Sequence, residues 1–167
     1  ISKTGEGEII DATGLYVIPG LTDIHFHACV GYDFCDGTKE AISKMAEYEL
    51  KNGITTICPA SMTFSEEKLG QIFETAKEYD GKDGAELVGI NMEGPFISME
   101  KKGAQNPEFI HKPDAEMFYR LQEKAGGLIK LVDIAPEVDG AIDCIKKIKD
   151  DIRVSVAHTA ATYDQAK

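Results

Sequence analysis

Apolar residues in this chain follow two alternating patterns. Short apolar runs of strand length are separated by longer stretches in which apolar positions recur every three or four residues. Residues 38–52 show the second pattern, with Ile42, Met45, Ala46 and Leu50 at helical spacing. Thr38 stands at the N-cap position of that helix and Gly53 where a C-cap belongs. Residues 54–58 then read as a buried strand. A second helix is predicted over 65–79, opened by Ser65 with Glu66 and Glu67 in its first turn, where carboxylates offset the helix dipole. A strand at 87–92, a helix over 113–124 with Pro113 at its first position, a strand at 128–134, a helix at 140–149 and a strand at 153–157 complete the series. Ahead of all these, residues 1–18 alternate and turn, predicting a β-hairpin with Thr13-Gly14 near its turn. Pro19-Gly20 punctuates the chain before a strand over 21–27.

Strand and helix therefore alternate four times, and the strands are short and apolar. That pattern belongs to parallel βα units covered on both faces. An open doubly wound sheet and a closed barrel both fit it, so the chemistry of particular residues must choose between them.

Composition narrows the function. The chain has 167 residues, 43% hydrophobic and 28% charged, the balance of a soluble globular domain. Its formal net charge of −11 argues against a nucleic-acid partner, which requires clustered Lys and Arg. A phosphorylated small molecule stays compatible, since one local basic or helix-terminal site can hold it. No apolar run approaches the roughly 20 residues of a membrane span. Cys29, Cys35, Cys58 and Cys144 form no CxxC pair and read as reduced, mostly buried thiols of a cytosolic protein.

Three constellations carry chemistry. His25-Phe26-His27 ends the strand at 21–27, and residues two apart on a strand face the same way, with Cα atoms about 6–7 Å apart. Two such imidazoles can reach one metal ion, or can be partly buried strand-end histidines. Glu93 arrives at the end of an apolar strand and meets Gly94-Pro95 at once. A buried, unpaired carboxylate costs several kcal/mol, which a divalent cation would offset, as would a pairing with Lys101 or Lys102. His158 also ends a strand, just before small and hydroxylated residues, as a ligand or as a loop-capping side chain. The fourth histidine, His111, lies in a charged loop and reads as exposed, with no metal role. His25, His27, Glu93 and His158 thus share the C-terminal ends of strands, the face that bears the active site in a (β/α)8 barrel. Imidazole with carboxylate suits zinc or iron(II).

Residues 17–27 (VIPGLTDIHFH) resemble the first barrel strand of the amidohydrolase superfamily. Within it, Glu93-Gly94-Pro95-Phe96-Ile97, residues 101–106 (KKGAQN), Ala135-Pro136-Glu137 and residues 158–164 (HTAATYD) resemble N-acetylglucosamine-6-phosphate deacetylases, in order along nearly the whole chain. The resemblance implies an α/β fold: a truncated (β/α)8 TIM-type barrel of about five strands over residues 19–167, preceded by part of a small β-sandwich at residues 1–18. It implies that Glu93 and His158 hold metal, that His25 and His27 leave a second ion open, and that Ala104 and Gln105 contact substrate, with other members carrying His in place of Gln105. It further implies metal-dependent hydrolysis of the acetamide of N-acetylglucosamine 6-phosphate, cytoplasmic, in amino-sugar catabolism.

Length limits that reading. The units after His27 take about 140 residues, whereas a whole barrel takes about 250. A further metal-binding His, a catalytic Asp and phosphate contacts are expected beyond Lys167, so the chain alone is expected to be inactive, and to be a homo-oligomer or to bind the remainder of its parent. Two alternatives stand beside the deacetylase: another amidohydrolase, dihydroorotase-like or dipeptidase-like, and a non-catalytic metal-binding module.

Overall fold

A computed structural model describes residue 7 and residues 9–167. Its framework is mixed α/β with parallel strands. Strand β1 (Leu21–Asp23) pairs with β4 (Ile54–Ile57), and β4 with β5 (Glu86–Leu87). Strand β6 (Ile90–Met92) pairs with β7 (Ile129–Ile134), and β7 with β8 (Arg153–Val156). All four pairings are parallel. A parallel bridge between Ala60 and Asn91 joins the two groups. The expected strand at 87–92 is thus two pieces, broken at Val88-Gly89. There the backbone changes neighbour: Val88 N donates to Ile57 O at 3.0 Å, and Ile90 N to Leu128 O at 2.7 Å. A Cβ on Gly89 would lie 2.4 Å from Lys130 Cγ, so the side chain is missing where the space is.

Helix α1 (Lys39–Lys51) is capped as its sequence predicts, Thr38 accepting from Ala41 N, and Gly53 follows in the left-handed region at φ 85. Helix α2 (Glu66–Lys77) is capped by Ser65, which accepts from Lys68 N. Helices α3 (Ala115–Lys124) and α4 (Ala141–Ile148) follow, and a short α5 (Tyr163–Ala166) ends the described chain. Two details differ from expectation. The buried α1 positions are Ala41, Ile42, Met45, Ala46 and Glu49, whereas Leu50 is 42% exposed. Leu50 lies one residue past the apolar stripe, at its edge. Helix α3 starts after Pro113, because the Asp114 carboxylate accepts from the Glu116 and Met117 amides and so takes the capping position.

Phe34, Ile42, Met45, Leu69, Ile72, Phe73, Phe118 and Leu121 form one core with Ile90, Met92, Val132 and Ile134 of the strands. Side chains alternate along a strand, so Asn91, Glu93 and Asp133 fall on the other face from that core. The sheet thus turns an apolar face to the helices and a polar face away from them.

The expected hairpin over 1–18 is corrected in the part described. Residues 9–20 contain a turn at Thr13-Gly14, with Leu15 N donating to Ala12 O at 2.9 Å, but no strand. Ile9, Ile10, Tyr16 and Ile18 are all at least 70% exposed. A two-stranded hairpin without a packed face is marginal in water; residues 1–6 and 8 lie outside the described residues. An unforeseen hairpin follows the HxH pair instead, β2 (Ala28–Cys29) against β3 (Tyr32–Asp33), turning on Val30 (φ 49) and Gly31 (φ 85). Two positive φ values suit a tight hairpin turn. Valine at the first of them is why no local signal announced it.

Candidate metal centre

The loops that leave the strands' C-terminal ends bring three imidazoles around one carboxylate. Glu93 follows β6 directly and is 3% exposed. His25 Nε2 lies 3.2 Å and His27 Nε2 3.0 Å from its Oε2. His158 Nε2 meets its Oε1 in a short contact. The ligand atoms of His25, His27 and Glu93 all lie within 4.8 Å of one another. Both histidines of the pair therefore face the same carboxylate, and Glu93 divides its two oxygens between the pair on one side and His158 on the other. The rival pairing of Glu93 with a lysine is not formed: Lys101 pairs with Glu100, and Lys102 donates to the Gly103 and Gln105 carbonyls.

The far side of each ring decides what its Nε2 can offer. His27 Nδ1 stands 3.1 Å from Ala60 O, and His158 Nδ1 2.9 Å from Lys101 O. A carbonyl only accepts, so each Nδ1 carries a proton, and in the neutral ring Nε2 is left with a lone pair. Two lone pairs aimed at a carboxylate repel it unless a cation intervenes or the rings are protonated. His25 differs. Asn91 Nδ2 lies 3.1 Å from Ile24 O and 3.1 Å from His25 Nδ1. The Ile24 carbonyl requires the amide nitrogen there, so His25 Nδ1 accepts and its Nε2 carries the proton toward Glu93. Glu93 Oε2 has no hydrogen bond of good geometry even so, and neither has Asn91 Oδ1. A buried carboxylate oxygen left over between imidazoles fits a divalent cation, and carbonyls behind the ligand rings are the usual outer partners of such a site.

Electrostatics agree with this geometry. Burial pushes the Glu93 carboxyl up, but the His27 and His158 contacts outweigh it and bring the pKa down to about 2. His27 is raised, first by its contact with Glu93. Asp133, 2% exposed and opposite Ser155 in register, is pushed up by burial. Gly94 lets the chain turn away from Glu93: its φ is 73, and a Cβ would lie 2.0 Å from Thr63 Oγ1.

Ala104 is exposed on the loop after β6, whereas Gln105 is 2% exposed. Both ends of the Gln105 amide are used inside the protein, Nε2 donating to Glu93 Oε1 at 3.1 Å and Oε1 accepting from Thr63 N at 2.6 Å. His111 is exposed and lies outside the cluster; its backbone N donates to Pro95 O. Asn91, Thr63 and the Ala60 and Lys101 carbonyls were not singled out from the sequence. Asn91, two residues before Glu93, was the one with a signal, being an amide inside an apolar strand.

Residues 16–164 match the Amidohydrolase family. The N-acetylglucosamine-6-phosphate deacetylase of Bacillus subtilis (strain 168) is 36% identical over 151 residues, which cover 87% of this chain and 38% of the relative. The crystal structure of N-acetyl-D-glucosamine-6-phosphate deacetylase from Mycobacterium smegmatis superposes with a TM-score of 0.82 at 30% identity, over 89% of this chain and 39% of that one. A variant of that enzyme, solved in complex with N-acetyl-D-glucosamine-6-phosphate, superposes equally well. The chain thus spans about two-fifths of the length of these relatives. Strand-end imidazoles around a buried carboxylate, on a parallel α/β framework that the family match covers almost throughout, have one common explanation: the chain belongs to the amidohydrolase family, whose members are metal-dependent.

Proposed function

We propose that the protein containing this chain hydrolyses the acetamide of N-acetylglucosamine 6-phosphate to acetate and glucosamine 6-phosphate. The observation that carries the proposal is Glu93, a buried carboxylate shared between the His25–His27 pair and His158, in a chain similar throughout to deacetylases of that substrate. Glu93 and His158 would hold zinc or iron(II), and His25 and His27 would leave a second ion position open beside them. When bound, such an ion lowers the pKa of bound water toward neutrality and polarises the amide carbonyl. This chain's own part is to bind and to orient. The Ala60 and Lys101 carbonyls keep the Nδ1 protons of His27 and His158 on the far side. Gln105 holds Glu93 Oε1 in place, and exposed Ala104 beside it lines the substrate's path.

The remaining expectations belong to the same proposal. Residues 19–167 form the first part of a (β/α)8 barrel, which the chain of parallel neighbours supports. Residues 1–18 contribute to a small β-sandwich, which the exposed apolar residues between Ile9 and Ile18 support. The protein is cytoplasmic, in keeping with four free cysteines and, among the described residues, no helix long and apolar enough to cross a membrane. The test is acetate release from N-acetylglucosamine 6-phosphate by the full-length protein, before and after chelation. Metal-dependent release that falls sharply on the unphosphorylated sugar is expected. Unchanged turnover after complete metal removal, or none with metal restored, would refute it.

A further inference from the structure

Glu137 lies three residues past β7 and is not among the side chains gathered around Glu93. Its carboxylate reaches across to the loop that follows β8. Oε2 accepts from the Thr159 hydroxyl at 2.5 Å, and Oε1 from the Ala160 amide at 2.6 Å. Thr159 Oγ1 in turn accepts from Ala161 N at 2.9 Å, so one carboxylate organises the three residues directly after His158. His158 itself has a φ of 44; Val30 is the other non-glycine with positive φ among the described residues. That region is sterically costly for a residue with a Cβ and persists when the surroundings hold it.

The surroundings of His158 come from two directions. From the loop after β6, Lys101 O accepts a hydrogen bond from the ring's Nδ1 and Ser98 N donates to His158 O at 3.0 Å. Those bonds turn the ring and hold the carbonyl. Neither fixes the chain beyond, which must leave the left-handed residue in one direction for Nε2 to meet Glu93. Glu137 grips that segment through Thr159 and Ala160, and its carboxylate also meets the Ser98 side chain.

We infer that Glu137 is a positioning residue for His158: by binding Thr159 and Ala160 it locks the loop after β8 so that His158 keeps its left-handed backbone and presents Nε2 to Glu93. The inference rests on the reading of His158 as a metal-holding residue. Its consequence is that metal affinity depends on a carboxylate that touches neither metal nor substrate. Removing an outer partner of a metal ligand typically costs 10- to 100-fold in affinity.

The test is a cycle of variants in the full-length protein: Glu137→Ala, His158→Ala and both together. Zinc affinity is read by competition with a chromophoric chelator, beside thermal unfolding of the metal-free protein. Glu137→Ala is expected to weaken zinc about 10- to 100-fold, and to weaken it no further once His158 is alanine. A loss of general packing would act equally in both backgrounds, and that result would overturn the proposal, as would wild-type affinity in Glu137→Ala. If Glu137→Ala does not fold, Thr159→Val removes one of the two bonds and should give a smaller loss in the same sense; wild-type affinity there would overturn it too. His158→Ala binding zinc as tightly as wild type would instead defeat the metal reading of His158, and the positioning role with it.

Discussion

Gln105 donates from Nε2 to the same Glu93 oxygen that His158 meets, and does so from a side chain that is 2% exposed. The residue that resemblance placed against the substrate also uses both ends of its amide inside the folded chain, one of them on the carboxylate. Replacing Gln105 with alanine strands the buried Thr63 N–H and leaves Glu93 Oε1 to His158 alone. An unsatisfied buried donor costs about 1–3 kcal/mol. Denaturant unfolding should show a loss of that size, together with weaker metal binding. Unchanged stability and metal affinity, with only a raised KM, would return Gln105 to a pure substrate contact.

Glu93 is the shared element of the cluster, so Glu93→Gln should be the most damaging single change to metal content. The amide keeps the shape and removes the charge. We expect at least about a 10-fold drop in affinity for zinc or iron(II). Elemental analysis of the full-length variant after dialysis reads this directly, and full occupancy would rule out Glu93 as a ligand.

Metal binding should tighten with pH. The folded pKa of His27 is raised above 6.5, first through its contact with Glu93. In the metal-free protein the protonated ring therefore stabilises the fold fully below 6.5, and this contribution fades as pH rises through the raised value. A cation needs the neutral ring, so it competes with that proton and binds better across the same window. Zinc titrations at stepped pH should show affinity climbing while metal-free thermal stability falls. A flat profile would mean His27 does not ligate.

The 167-residue chain on its own should not behave as a simple monomer. Strands β1 and β8 end the described rows of parallel neighbours, and Leu21, Ile24 and Val156 are 56%, 51% and 48% exposed. Unpaired strand edges recruit further strands, and apolar patches on monomers are small. Light scattering should give a mass well above that of one 18.2 kDa chain. A clean monomer with acetate release would show that the chain completes its own site.

Much of this protein is decided by neighbours in sequence. The Thr38 and Ser65 caps, the strand–helix alternation and the polar residues waiting at strand ends are local, because a cap reads amides two or three residues away and periodicity reads one turn. For the same reason His25, His27, Glu93 and His158 could be picked out before any fold existed. What they do to one another could not. The contacts between Asn91 and His25, and between His158 and Glu93, span 66 and 65 residues. Nothing local says which oxygen of Glu93 each imidazole takes, or that Asn91 puts the His25 proton on Nε2. Burial is just as collective. Gln105 turned both ends of its amide inward, and Leu50 moved out while Glu49 moved in, because packing several elements together sets which face is covered. The apolar alternation of residues 9–18 produced no strands, because a strand is completed by the partner it pairs with and not by its own pattern.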